Sequence, residues 1–178
     1  MTPRRGLFVR LLRSIFADFA ALAIIVCGIA LIDDGFAWRA LGEAAQIVAV
    51  WLLLSLLWAA GRTRSLVRVA RGLRIEVSGN ALNGTQTHTL TGIPLSRVRA
   101  ELGVARRASE VGGGNPVGFR WRPFRSRASA DGTVTYVEST GEAHVEVRAG
   151  RRLGADVVVF RGAAFIALCQ IVRTLEGR

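Results

Sequence analysis

The chain has 178 residues, 51% of them hydrophobic, a mean hydropathy of +0.34 and a formal net charge of +11. All 24 basic residues are arginine, which excludes a Schiff-base lysine and the lysine of a phosphate-binding P-loop. Two cysteines and two histidines are too few for a zinc ribbon or a disulfide scaffold, and a positive mean hydropathy beside 21% charged residues requires the apolar residues to sit in blocks.

Two such blocks stand near the N-terminus. The first, Ile15 to Ile32, has 18 residues with Asp18 close to its start; the second, Leu41 to Ala60, has 20, interrupted by Glu43 and Gln46 near one end. At a rise of about 1.5 Å per residue they reach roughly 27 and 30 Å, matching a hydrocarbon layer of about 30 Å. The Leu, Ile, Val and Phe side chains of the first block favour insertion by about 3 to 6 kcal/mol, and Asp18 lies where water is within reach. Both blocks are predicted to span as a transmembrane hairpin. A buried hairpin in a soluble protein would need more covering chain than remains. A signal peptide, with Arg4, Arg5, Arg10 and Arg13 ahead of a small-residue site at Gly28-Ile29-Ala30, conflicts with the long basic segment and with Asp18.

Orientation follows from arginine counting. Arginines 4, 5, 10 and 13 precede the first block and Arg62, Arg64, Arg68, Arg71 and Arg74 follow the second, whereas the loop from Asp33 to Ala40 holds Arg39 alone. The positive-inside bias places the chain in the inner (cytoplasmic) membrane as a multi-pass protein with both termini cytoplasmic. Trp38 suits a headgroup position, and the pairs Ala17/Ala21 and Ala45/Ala49 permit close helix approach. The segment through 61 is thus the basic N-terminus and hairpin, followed by a basic juxtamembrane linker over 62–72. As a continued helix, that linker sets Arg64, Arg68 and Arg71 on one face, attractive to anionic headgroups, until Gly72 stops it. The same arginines also serve simply to stop translocation.

Residues 73–178 have the length of one small cytoplasmic domain. Leu73-Arg74-Ile75-Glu76-Val77 alternates with period two and meets a turn at Ser78-Gly79-Asn80, and Asn83-Gly84 marks another turn. Threonine-rich Thr85 to Thr91 reads as a strand. Ile93 to Leu102 again alternates, with Leu95 out of phase and Pro94 suiting a strand start. Thr133 to Glu138 and Glu142 to Arg148 form a hairpin about Ser139-Thr140-Gly141, and Ala155 to Phe160 is a short apolar strand. From Gly162 the period changes: Phe165, Leu168, Cys169, Val172 and Leu175 recur at three and four, an amphipathic helix too short for a third span.

A β-rich α+β domain whose strands are closed by one helix resembles the bacterial PH-like family, which includes small membrane proteins with two N-terminal spans. The resemblance rests on Leu73 to Gly84, on Ile93-Pro94-Leu95-Ser96-Arg97-Val98 (similar to the family's third strand) and on Ala155 to Leu175. It implies a seven-stranded, strongly bent sheet or partly open barrel capped by the helix. It implies no catalytic residue, and the basic run from Arg120 to Arg127 has no counterpart in the family.

That run, Phe119-Arg120-Trp121-Arg122-Pro123-Phe124-Arg125-Ser126-Arg127, interleaves arginines with aromatics after the glycine run at 112–114. The mixture suits phosphate pairing with aromatic insertion into headgroups, and less so base stacking on nucleic acid. It equally suits a strand with one face in the core and its arginines in water. His144, between Glu142 and Glu146 on one strand face, reads as a solvated charge row rather than a metal site; His88 has no evident partner. Cys27 and Cys169 read as small apolar residues. The expectation is therefore a non-enzymatic, membrane-tethered interaction module without a cofactor. Its partners are anionic lipids or a membrane protein, through Arg64, Arg68, Arg71, Arg120, Trp121, Arg122, Arg125 and Arg127; nucleic acid ranks lower. A membrane-interface enzyme is the rival, and bringing His88 and His144 together with Glu142 or Glu146 would favour it.

Overall fold

A computed structural model describes residues 3–33, 38–104, 108–110, 115–121, 130–149 and 162–177. The chain divides into two compact units, Met1–Ser65 and Leu66–Arg178.

Two long helices dominate the first unit. α1 (Pro3–Asp33) starts well before its apolar block and takes in the basic N-terminal segment. Its burial changes along its length: Leu7, Leu11 and Ile15, at i, i+4 and i+8, are fully buried, whereas Ile24 and Ile32 are 72% and 82% exposed. α2 (Trp38–Ala70) covers the second block and runs on without a break. Among the described residues, one helical stretch, Ala45–Ala70 of α2, is long and apolar enough to cross a bilayer, and only 11% of its most apolar window is buried. All thirteen exposed large hydrophobic side chains among the described residues lie between Val9 and Leu57. A water-soluble surface rarely concentrates so many large apolar side chains on two helices.

The second unit is an α+β domain with an open antiparallel sheet. Its elements are a 3-10 turn (Gly79–Leu82), β1 (Thr85–Thr91), α3 (Leu95–Val104), β2 (Ala108–Glu110), β3 (Val117–Trp121), β4 (Ala130–Val137), β5 (Glu142–Ala149) and α4 (Ala163–Glu176). The sheet order is β1-β5-β4-β3-β2. Alternation along each strand divides polar from apolar faces. Leu90, Val117, Phe119, Ala130, Val134, Ala143, Val145 and Val147 form the buried face, and α4 covers it with Ala164, Ala167, Leu168, Ile171, Val172 and Leu175. The expected hairpin is present, with Val137 paired to Glu142 and Asp131 to Arg148.

Gly132 has a specific reason to lack a side chain. It pairs with Phe119 across β3 and β4, and a Cβ there would overlap the phenyl ring. The buried Phe119 ring thus lies over the backbone of the neighbouring strand.

Two expected strands are corrected. Ile93 to Leu102 is not a strand: α3 begins at Leu95, with Pro94 O accepting from the N–H groups of Arg97 and Val98. Leu95, out of phase for a strand, is in phase for a helix. Leu95, Val98 and Leu102 stand at i, i+3 and i+7, and the last two are fully buried. Leu73 to Val77 keeps its alternating exposure, with Leu73 and Ile75 against the core, but pairs with no described strand. Leu73 and Arg74 bend away from the helix end, with Leu73 N–H donating to Ala70 O, and a ladder also requires a neighbour. The described residues contribute five strands to the sheet. The expected strand Ala155 to Phe160 and the glycine run at 112–114 lie outside the described residues.

Candidate functional site

The stretch expected to be a juxtamembrane linker is the last part of α2, and the second unit begins inside that helix at Leu66. Leu66 and Ala70, at i and i+4, are buried; Arg64, Arg68 and Arg71 are exposed. Arginines spaced i, i+4 and i+7 therefore form the solvent-facing row that the sequence indicated. Gly72, at φ +84°, ends the helix in the left-handed conformation that glycine adopts without a Cβ clash.

α4 holds this end of α2. Residues Phe165, Cys169 and Arg173 follow one another at i, i+4 and i+8, and the two uncharged members are buried outside the sheet-facing cluster. Arg173 Nη2 donates to Val69 O at 2.8 Å and to Arg71 O at 3.2 Å. At the other end of α4, Gly162 lies against Leu66: a Cβ there would come within 3.0 Å of the leucine Cδ2. Burial pushes the Cys169 thiol up to about 12, with Arg173 opposing the shift, so the thiolate is suppressed.

A cleft of about 450 Å³ opens beside β1, lined by Arg74, His88, Leu90, Ile93, Arg97, Leu175 and Glu176 together with Thr89 and Thr91. Four separate segments supply its ionisable groups: the bend after α2, β1, the first turn of α3 and the end of α4. Arg97 lies over Gly177, where a Cβ would come within 2.5 Å of Nη2. Burial lowers the pKa of His88 from its ordinary value, and the Glu176 carboxylate opposes this.

The opposite face of the sheet is polar. Arg120 Nε meets Asp131 Oδ1 at 2.7 Å, and Arg148 Nε meets Glu146 Oε1 at 2.7 Å. His144 contacts Thr89 Oγ1 through Nδ1 at 2.9 Å and faces Glu142 through Nε2 at 3.6 Å. His88 pairs with Val145 whereas Thr89 pairs with His144, so the two histidines occupy opposite faces and share no pocket. Among the described residues no group of three His, Cys, Asp or Glu side chains could hold a metal.

Within the basic-aromatic run, Phe119 points into the core and Arg120 is exposed and ion-paired on β3. Trp121 ends that strand opposite Ala130. Residues 119–121 thus belong to β3; Arg122, Arg125 and Arg127 lie outside the described residues. Arg74, Arg97, Arg173 and Glu176 carry no site signature in the sequence, because their spread over the chain leaves no local pattern. No protein-family model, curated protein or solved structure matches this chain.

Proposed function

We propose that the chain is a membrane-tethered, non-enzymatic interaction module. Its two long helices span the inner membrane as a hairpin, and the α+β domain stands at the cytoplasmic face. There the row Arg64, Arg68 and Arg71 meets anionic headgroups, and the domain engages a membrane-protein partner. One observation carries this: along the single helix α2, exposed apolar side chains give way to exposed arginines and then to a buried seat in a folded domain. With 33 residues, α2 is roughly 50 Å long, well beyond a hydrocarbon layer of about 30 Å. The helix from Gly61 onward adds about 15 Å, enough to cross the headgroup layer. Arginine there gains about 1 kcal/mol per residue against an anionic surface. A relationship to the bacterial PH-like group is supported by the sheet-then-helix order and opposed by α3.

The test uses the full chain in nanodiscs of neutral phosphatidylcholine, with or without anionic phosphatidylglycerol, and reads the melting temperature at low and high salt. The module predicts a salt-sensitive rise with the anionic lipid that the combined Arg64→Gln, Arg68→Gln and Arg71→Gln variant loses. An equal melting temperature in both lipids would remove headgroup binding and leave protein scaffolding.

A further inference from the structure

We propose that the cleft between β1, α3 and the end of α4 binds the phosphate monoester of a small hydroxylated molecule. Two guanidinium groups from separate elements, Arg74 and Arg97, line one concave space. Among the described residues neither takes part in an ion pair. Converging like charges favour occupation by an anion, and guanidinium forks suit phosphate oxygens in particular. His88 adds a third nitrogen donor when protonated.

The remaining wall defines the rest of the ligand. Ile93 and Leu175 offer an apolar side to a short carbon skeleton. Glu176, the sole carboxylate lining the cleft among the described residues, repels a second phosphate but accepts hydrogen bonds from hydroxyl groups. The volume of about 450 Å³ exceeds what a bare phosphate needs and falls within the range for small organic ligands. Arg64, Arg68 and Arg71 take no part in this site, so it stands or falls apart from headgroup binding by α2.

His88 makes binding depend on pH. The charged groups facing it are Arg74 after α2, Arg97 on α3 and Glu176 on α4; from β5 its paired neighbour is Val145. Burial disfavours the protonated imidazole in the free site, and an anion beside it favours proton uptake. Affinity for an anion of fixed charge therefore rises as pH falls.

The experiment is calorimetric titration of the full chain in detergent with glycerol 3-phosphate, and separately with sulfate, whose charge is constant between pH 5.5 and 7.5. A second arm measures the melting temperature in nanodiscs with phosphatidic acid, a lipid phosphate monoester, against pure phosphatidylcholine. The proposal predicts saturable binding of glycerol 3-phosphate that weakens roughly tenfold or more in Arg97→Gln and in Arg74→Gln. Arg120→Gln, on the far face, leaves it unchanged. Sulfate binds more tightly at pH 5.5 than at 7.5 in the parent and equally at both in His88→Gln. A response to the soluble ester alone assigns the site to a free ligand, and a response to phosphatidic acid alone assigns it to a headgroup. Absence of both would overturn the proposal, as would equal losses in Arg120→Gln and Arg97→Gln. Arg74 is exposed at a bend after α2, so its variant keeps the test valid if Arg97→Gln fails to fold.

Discussion

Arg173 Nη2 donates to Val69 O at 2.8 Å, joining the last helix of the domain to a carbonyl in the final turn of α2. The last carbonyls of a helix have no partner within it and carry the negative end of its dipole, so a guanidinium there serves as hydrogen-bond donor and counter-charge together. The second bond, to Arg71 O, fastens the residue at which α2 gives way to the turn. The last turn of α2 is thereby fastened to α4, which covers the sheet.

Replacing Arg173 tests this coupling. Arg173→Ala removes two charge-assisted bonds and is expected to cost about 2 to 3 kcal/mol in denaturant unfolding of the full chain in detergent. Arg173→Lys, which keeps the charge without the fork, should fall between variant and parent. A loss below about 0.5 kcal/mol for Arg173→Ala would show that the carbonyls are equally well served by water.

Gly132 and Phe119 form a second testable pair. Gly132→Ala drives a methyl into the phenyl ring and is expected to destabilise the domain by about 1 to 3 kcal/mol. Phe119→Leu alone leaves a void, yet combined with Gly132→Ala the two costs should total less than their sum. A double-mutant cycle measures that interaction.

Cys169 should resist modification. In a Cys27→Ala background at pH 7.5, its maleimide labelling is expected to be about a hundredfold slower or more than after denaturation. Stability carries the same signature. Below its ordinary value of 9.0 the thiol is protonated whether folded or unfolded. Between that value and about 12 the unfolded chain gives up its proton first, so stability falls as pH rises. Cys169→Ala should flatten that decline.

His88 works in the opposite direction in the unliganded protein. Its folded pKa lies below 6.5, so the unfolded chain binds the proton more readily. Stability from this residue is complete above pH 6.5 and is lost as pH falls through the lower folded value. The melting temperature measured between pH 7.5 and 5 should therefore drop less in His88→Gln than in the parent.

Some of this architecture is written locally in the chain. β4 and β5 are legible because alternating residues flank a Ser-Thr-Gly turn, and α4 because Phe165, Leu168, Cys169, Val172 and Leu175 keep a helical period. α3 is harder. Its ten residues include arginines at 97 and 99 that imitate alternation, and burial of Leu95, Val98 and Leu102 against α4 and the sheet decides in favour of helix. The arginine row on α2 follows from spacing alone. The cleft does not, because Arg74, His88, Arg97 and Glu176 meet only after the sheet and two helices have assembled. The bond from Arg173 to Val69 spans 104 residues and has no local trace.

The most direct test of the account is topology in living cells, with a reporter active only outside the cytoplasm and one that fluoresces only inside it. Each is fused in turn beside Gly35 and after Arg178. The account predicts external activity at Gly35 and internal fluorescence at Arg178. Both positions reporting from the same side of the membrane would contradict it.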